Sequence, residues 1–221
     1  MIVYGASMSP YVRKVLAFGA EKGLELENRP LGLGDRTPEF REASPFGKIP
    51  AFRDGDFTTW DSSAIIAYLD AVKPEPNLIP TEARARARTV CWEEFADGQL
   101  MECGRAMFFN RVVAPMFLGR PGDAAVADQA EREKLPPLLD YLEGQVPDAG
   151  GFLVEDRLTL ADLAVASPFV NLTRHLGIAL NEHPRTLAYV DAILARPSFA
   201  VWVDKETRLF QKLRSAAPAM A

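Results

Sequence analysis

Cysteine and histidine are scarce in this chain. Its 221 residues include only two cysteines, Cys91 and Cys103, and only two histidines, His175 and His183. We expect both cysteines in one long helix, where a rotation of ~100° per residue puts them on different faces. An intrahelical disulfide is therefore excluded, and both are predicted to be small buried apolar side chains. Because neither cysteine has a histidine at ligand spacing, no metal site is predicted.

An excess of positive charge and long apolar runs are also missing. The 25 Lys and Arg residues are outnumbered by 30 Asp and Glu residues, which gives a net charge of −5, so nucleic-acid binding is not expected. No apolar segment is long enough to span a bilayer, and no membrane partner is predicted. Met1 leads directly into Ile2-Val3-Tyr4 without a signal-peptide pattern, so we expect a cytoplasmic protein.

Strand and helix signals alternate over the first ~75 residues, as in an α/β fold. A short apolar strand at 2–5 is followed by Ser9-Pro10, a typical helix start, and by a second strand near 26–31. The intervening helix makes these two strands parallel. Asp54-Gly55 separates two further strands as a hairpin, and a helix is predicted over 62–72. The sequence therefore predicts a mixed four-stranded sheet with helices.

The remainder of the chain is predicted to be helical. Lys73-Pro74-Glu75-Pro76-Asn77 is too rich in proline for a regular element, so we place a linker at 75–80 between a first domain, 1–74, and an all-α second domain, 81–221. Helices are expected from near Thr81, over 123–144, from Thr159 through Asn171 and, as two shorter ones, after His183-Pro184 and Arg196-Pro197. Thr159 and Asp162 resemble a capping box with Asp in place of Glu.

Three short segments of the first domain are suited to ligand binding. Because Pro50 can begin a strand without donating to the ladder, the backbone N–H and C=O of Ile49 are left to pair with an extended peptide. Asp61-Ser62 starts a helix, whose N–H groups and positive dipole end suit a carboxylate. Ser9 offers a hydroxyl donor. Each segment also has a purely structural interpretation, as a rigid turn or a helix cap.

These segments together resemble the cytosolic glutathione S-transferase superfamily, of the serine-type, bacterial theta/tau-like kind. The matching stretches are Tyr4-Gly5, Ser9 to Val15, Ser44 to Phe52, Trp60 to Ile65 and Leu158 to Leu163. The resemblance implies a thioredoxin-like first domain, a helical-bundle second domain and a homodimer. It also implies glutathione as co-substrate, attacking a small hydrophobic electrophile as its thiolate.

The resemblance assigns roles to individual residues. Ser9 would donate a hydrogen bond to the thiolate; Ser7 is the alternative donor, followed by Tyr4, which we expect in the core. Glutathione would be held by the backbone of Ile49 before a cis Pro50, by Lys48 at one carboxylate, and by Asp61 and Ser62 at the γ-glutamyl end. The electrophile pocket would lie between Tyr11 and the bundle, with the candidate lining residues Met107, Phe108 and Arg111, and further Met101, Phe109, Phe117, Trp202, Phe210 and Arg105.

Other functions remain open at this stage. A non-catalytic binding module could keep the same fold, and dehalogenation, isomerisation, ether cleavage and peroxide reduction would all begin with the same thiolate. A glutaredoxin-like protein is disfavoured because its chemistry needs a protein thiolate, and no cysteine precedes Cys91.

Overall fold

The first part of the chain folds around a four-stranded sheet. A computed structural model describes residues 1–148 and 150–216. The strands are β1 (Ile2–Tyr4), β2 (Glu27–Arg29), β3 (Ala51–Asp54) and β4 (Phe57–Trp60), in the order β2-β1-β3-β4. β1 is parallel to β2 and antiparallel to β3, and β3 is antiparallel to β4. The predicted mixed sheet and thioredoxin-like fold class are confirmed.

Three helices pack with this sheet: α1 (Pro10–Glu21), α2 (Pro38–Ala43) and α3 (Ser62–Val72). Most apolar side chains of α1 are buried, and Gly23, with φ of 65°, follows its end. The predicted hairpin is present, but Asp54 belongs to β3 and the two-residue turn is Gly55-Asp56. Gly55 has φ of 60°, which is favourable at this first turn position because it carries no Cβ.

The second part is helical. A continuous helical stretch comprises α4 (Ala83–Glu94), a wide π-helical segment (Phe95–Leu100), α5 (Met101–Phe108) and a second π-helical segment (Phe109–Phe117). Another comprises α6 (Ala124–Gln129), a π-helical segment (Ala130–Lys134) and α7 (Leu135–Gln145). α8 (Leu160–Phe169) continues as a π-helical segment (Val170–His175), and α9 (Pro184–Leu194) and α10 (Pro197–Ala216) follow. With 20 residues α10 is not the short helix that was predicted.

Helix α8 lies in the centre of the molecule, and all its residues are buried. At its start the backbone N–H of Thr159 donates to Asp162 Oδ2 at 2.8 Å, so the predicted capping box is present. Asp162 Oδ1 also accepts from the Leu153 N–H and from the Tyr189 hydroxyl, at 2.9 and 2.7 Å. One hydrophobic cluster joins side chains of the sheet domain, such as Phe52, to those of α8. The two parts therefore share a core.

The two cysteines have different environments. Cys103 is buried, and burial raises the pKa of its thiol to about 11. Cys91 is exposed, so the prediction of burial is wrong for this residue. Within 1–148 and 150–216, no cluster of three or more His, Cys, Asp or Glu side chains could hold a metal ion. None of the helices described is both long and apolar enough to cross a bilayer.

The segment between the two parts runs from the end of α3 at Val72 to the start of α4 at Ala83 and contains a cis Glu75–Pro76 bond. The division into domains 1–74 and 81–221 stays a prediction. Residues 149 and 217–221 of that second domain lie outside the described residues.

Candidate functional site

The strand register brings three separate segments to one end of the sheet. Tyr4 at the end of β1 pairs with Ala51 at the start of β3, and Ala51 pairs with Trp60 at the end of β4. Three segments therefore lie next to one another at this end of the sheet: those that follow Tyr4, precede Ala51 and follow Trp60. These are the segments that carry Ser9, Ile49 and Asp61.

Ser9 lies at the N-cap position of α1 with extended backbone angles, φ −73° and ψ 122°. Its side chain makes no capping hydrogen bond, although a cap was predicted. Ser9 borders a cavity of about 580 Å³. Ser9 can therefore serve a ligand without giving up a bond that helix α1 needs. Ser7 is buried, with 6% exposure, and Tyr4 lies in the core and donates to Glu39 Oε1 at 2.5 Å.

The segment before β3 packs closely against Gly5, which lies between β1 and α1. The Ile49–Pro50 bond is cis, as the resemblance implies, and Ile49 borders the cavity. Gly5 has φ of 132°, and a Cβ there would lie 2.8 Å from Val12 Cγ2 and 2.9 Å from Ile49 Cβ. Only glycine fits this contact. Pro50 is buried, whereas Lys48 is exposed and does not border the cavity.

The start of α3 is capped by Asp61, whose φ is 80°. Its Oδ1 accepts from the N–H groups of Ser63 and Ala64, at 2.9 and 3.2 Å. Two of the helix N–H groups that were expected to receive a carboxylate are thus occupied by the protein's own cap. Ser62 is buried, and its hydroxyl donates to Asp97 Oδ2 at 3.5 Å. Asp61 and Ser62 do not border the 580 Å³ cavity.

Asp97 connects the α3 start to Tyr11. The Tyr11 hydroxyl donates to the Asp97 backbone carbonyl at 2.9 Å, and Lys14 forms ion pairs with both Asp97 and Glu93. Burial raises the pKa of Tyr11, and the Asp97 carboxylate raises it further. The Tyr11 phenol therefore stays neutral at physiological pH. Tyr11 borders the cavity while its hydroxyl is hydrogen-bonded to Asp97.

The cavity is mostly apolar and lies between the sheet end and the bundle. It is bordered by Tyr11 and by the predicted residues Met101, Phe108, Phe109, Phe117 and Arg105. Met107 and Arg111 do not border it, and their placement in the pocket is corrected. Met107 is fully buried in the main hydrophobic cluster, and Arg111 is paired with Asp128 and Glu131. Trp202 borders a separate groove beside Glu21, and Phe210 is buried.

Sequence reasoning missed the side of the cavity formed after β2. Leu31 and Leu33 follow this strand, and Phe40 comes from α2. The signal was available, since β1 and β2 were predicted to be parallel and the carboxyl ends of parallel strands meet at one edge. Asn171, also missed, borders the cavity from the segment that continues α8.

Comparisons with known proteins agree with this architecture. The family model described as "Glutathione S-transferase, N-terminal domain" matches residues 3–77, and the model described as "Glutathione S-transferase, C-terminal domain" matches residues 109–206. A glutathione S-transferase of Hyoscyamus muticus is 32% identical over 211 residues, which cover 92% of this chain and 98% of the relative. The chain belongs to the glutathione S-transferase family.

Solved structures of this family have the same fold. Glutathione transferase F7 from Populus trichocarpa has a TM-score of 0.80 at 29% identity, and the match covers 93% of this chain and 98% of that one. A glutathione S-transferase from Methylobacillus flagellatus with glutathione bound has a TM-score of 0.76 at 26% identity, covering 91% and 98% of the two chains.

Proposed function

We propose that this protein is a glutathione transferase that activates glutathione as a thiolate for attack on a small hydrophobic electrophile. Membership of the family and full-length similarity to enzymes named glutathione S-transferase support transferase activity with glutathione as co-substrate. The single observation that supports the mechanism is the convergence of the segments of Ser9, Ile49 and Asp61 at one end of the sheet, where Ser9 and Ile49 border an apolar cavity.

In this mechanism the thiol of bound glutathione loses its proton to solvent, and the Ser9 hydroxyl donates a hydrogen bond to the thiolate. The thiolate sulfur attacks the electrophile to form a C–S bond, and the leaving group departs with the bonding electrons. The cysteinyl backbone of glutathione pairs with Ile49 before Pro50, and Lys48 approaches one carboxylate from solvent. The electrophile occupies the cavity between Tyr11 and Phe108.

The γ-glutamyl end is assigned to Asp61 and Ser62. Because Asp61 caps α3 through Oδ1 alone, its second oxygen can accept a bond from the ligand's ammonium group. The Ser62 N–H donates to the neighbouring carboxylate, and the buried Ser62 hydroxyl joins it by turning away from Asp97, to which it donates at 3.5 Å in the structure.

Replacing Asp61 by Asn separates its two roles. Asn retains an oxygen for the cap and tolerates positive φ, but it carries no charge to pair with an ammonium group. We expect the dissociation constant of glutathione, measured by calorimetry, to rise about tenfold or more, since a bond to a charged group is worth ~1.5–3 kcal/mol. The melting temperature should change little. An unchanged dissociation constant for Asp61→Asn would contradict the assignment, and Asp56→Asn is the matched control in the nearby hairpin turn.

The activity itself is tested by titration. The ultraviolet absorbance of bound glutathione, followed from pH 5 to 9, should reveal a thiol pKa below the free value of ~8.5. Conjugation of an activated aryl halide should follow the same titration. Glutathione binding without any shift of the thiol would favour the alternative, a non-catalytic binding module. A shifted thiol without aryl transfer would favour a glutathione-dependent dehalogenase, isomerase, etherase or peroxidase.

For the subclass we propose the serine type, and for the location the cytoplasm. Serine-type chemistry follows from Ser9, whereas the relatives are plant phi-class enzymes and do not single out the bacterial theta/tau-like kind. A cytoplasmic location stays a prediction from the sequence.

A homodimer is the proposed assembly, and exposed aromatic residues support it. Phe46 is 71% exposed and meets Trp60 edge-on at a centroid distance of 5.3 Å. Burying such side chains against a second copy would remove apolar surface from water. We expect Phe46→Ser to shift the mass measured by light scattering toward a monomer, while Leu33→Ser, which alters another exposed apolar side chain, leaves it unchanged. A monomeric wild type would contradict this proposal.

A further inference from the structure

Backbone carbonyls on both sides of Ser9 accept hydrogen bonds from side chains of α8 and of the segment that continues it. The Met8 carbonyl accepts from Asn171 Nδ2 at 3.1 Å and from Arg13 Nη2 at 3.4 Å. The Pro10 carbonyl accepts from the Ser167 hydroxyl at 2.8 Å. Ser167 and Asn171 are four residues apart, so they lie on one face of α8 and its continuation. The segment carrying Ser9 is therefore fixed on both sides by the same helix.

A buried charge cluster fixes the orientation of Asn171. Its Oδ1 accepts from Arg13 Nη2 at 3.0 Å, and because a guanidinium only donates, the amide Nδ2 must point the other way, toward the Met8 carbonyl. Arg13 Nη1 also donates to the Ser167 backbone carbonyl at 2.7 Å. Glu206 of α10 neutralises Arg13 at 2.7 Å and accepts from His175 Nε2 at 3.0 Å. Arg13 and Glu206 are almost fully buried.

We propose that Ser167 and Asn171 are positioning residues that set the place of the Ser9 hydroxyl relative to the bound thiolate. This inference rests on the proposed role of Ser9. The Ser9 carbonyl itself accepts from the Arg13 backbone N–H at 2.9 Å. Because the backbone is held at Ser9 and at the carbonyls of both neighbouring residues, the direction of the Ser9 Cα–Cβ bond is fixed, and only one side-chain rotation remains to place the oxygen. Misplacement of a reacting group by about 1 Å can cost on the order of 100-fold in rate, so such fixation has a measurable consequence.

Ser167→Ala tests this directly, because it removes one hydroxyl and leaves the backbone carbonyl that Arg13 uses. We expect kcat/KM for glutathione conjugation to fall roughly five- to tenfold, the equivalent of one lost hydrogen bond, and the thiol pKa of bound glutathione to rise. KM for the electrophile should stay near the wild-type value. Thr173→Val is the matched control, since the Thr173 hydroxyl donates at 2.7 Å to the Phe169 carbonyl of its own helix.

A double-mutant cycle identifies the residue through which Ser167 acts. In a Ser9→Ala background, Ser167→Ala should have no further effect on the thiol pKa, because the hydroxyl that it positions is gone. If the thiol pKa is raised in Ser9→Ala but stays at the wild-type value in Ser167→Ala, the positioning role of Ser167 is overturned and the role of Ser9 is kept. If the thiol pKa of bound glutathione is unchanged in Ser9→Ala, the proposed role of Ser9 is wrong, and this inference is overturned with it. Equal losses in Ser167→Ala and Thr173→Val, in melting temperature only, would mean a purely structural role.

Discussion

Ser9→Ala is expected to reduce conjugation at pH 6.5 by roughly 10- to 100-fold while leaving the fold intact, a range that follows from losing one hydrogen bond to a charged group. The free thiol has a pKa of ~8.5, so an unassisted glutathione is mostly protonated near neutral pH. A hydroxyl bond to the thiolate stabilises it by ~1.5–3 kcal/mol, which at ~1.4 kcal/mol per pKa unit lowers the thiol pKa by one to two units. Because the Ser9 side chain makes no capping bond, stability should change little.

The pH dependence distinguishes this mechanism from a general loss of activity. Below the variant's thiol pKa, the thiolate fraction should be lower in Ser9→Ala than in the wild type. Above that pKa both proteins carry the thiolate, so the difference in rate should shrink. The measurement is kcat/KM for an activated aryl halide from pH 5.5 to 9.5, together with the ultraviolet titration of bound glutathione.

Ser7→Ala is the control for Ser9→Ala, because Ser7 is the alternative donor in the same segment. Ser7 is buried, whereas Ser9 borders the cavity, so we expect Ser7→Ala to leave the thiol pKa near the wild-type value. A raised pKa in Ser7→Ala, with none in Ser9→Ala, would transfer the donor role to Ser7.

The sequence predicted those parts of the site that depend on local chemistry. A few local residues determine where these elements begin. Proline follows Ser9 at the start of a helix and Ile49 at the start of a strand, and Asp61 caps the next helix. The register of three adjacent strands then brings these ends together, and the mixed sheet was predicted from the order of the elements. Short-range preferences were sufficient here because each segment lies next to a strand.

Contacts distant in sequence could not be predicted in this way. The bond between Ser167 and the Pro10 carbonyl joins residues 157 positions apart, and that between Asn171 and Met8 joins residues 163 apart. The placement of Met107 in the pocket was wrong for a related reason. Periodicity gives the apolar face of a helix, but whether that face is directed toward the core or toward a cavity depends on elements distant in sequence. Arg111 pairs with Asp128 and Glu131 of another helix, which the sequence alone does not reveal.

Glu206→Gln is expected to lower the free energy of unfolding by about 3–5 kcal/mol, because it leaves the Arg13 guanidinium buried without its counter-charge. Glu206 contacts Arg13 through both oxygens, at 2.7 and 3.3 Å, and also His175. Glu102→Gln is the control, since the pair formed by Glu102 and Lys134 is exposed at both ends and should contribute less than ~1 kcal/mol. Urea denaturation at pH 7 measures both variants.

Acid unfolding gives an independent test of the same pair. Burial alone would raise the pKa of Glu206, but the Arg13 charge and the hydrogen bonds from His175 and Arg13 outweigh it and hold the pKa below its usual value. A carboxylate with a lowered pKa in the folded state stabilises the fold above its unfolded pKa of ~4.3, and this contribution is lost as the pH falls through the folded pKa. The wild type should therefore lose stability below pH ~4.3 more steeply than Glu206→Gln, which has no proton to take up. Parallel acid curves for the two proteins would contradict a lowered pKa of Glu206 in the folded state.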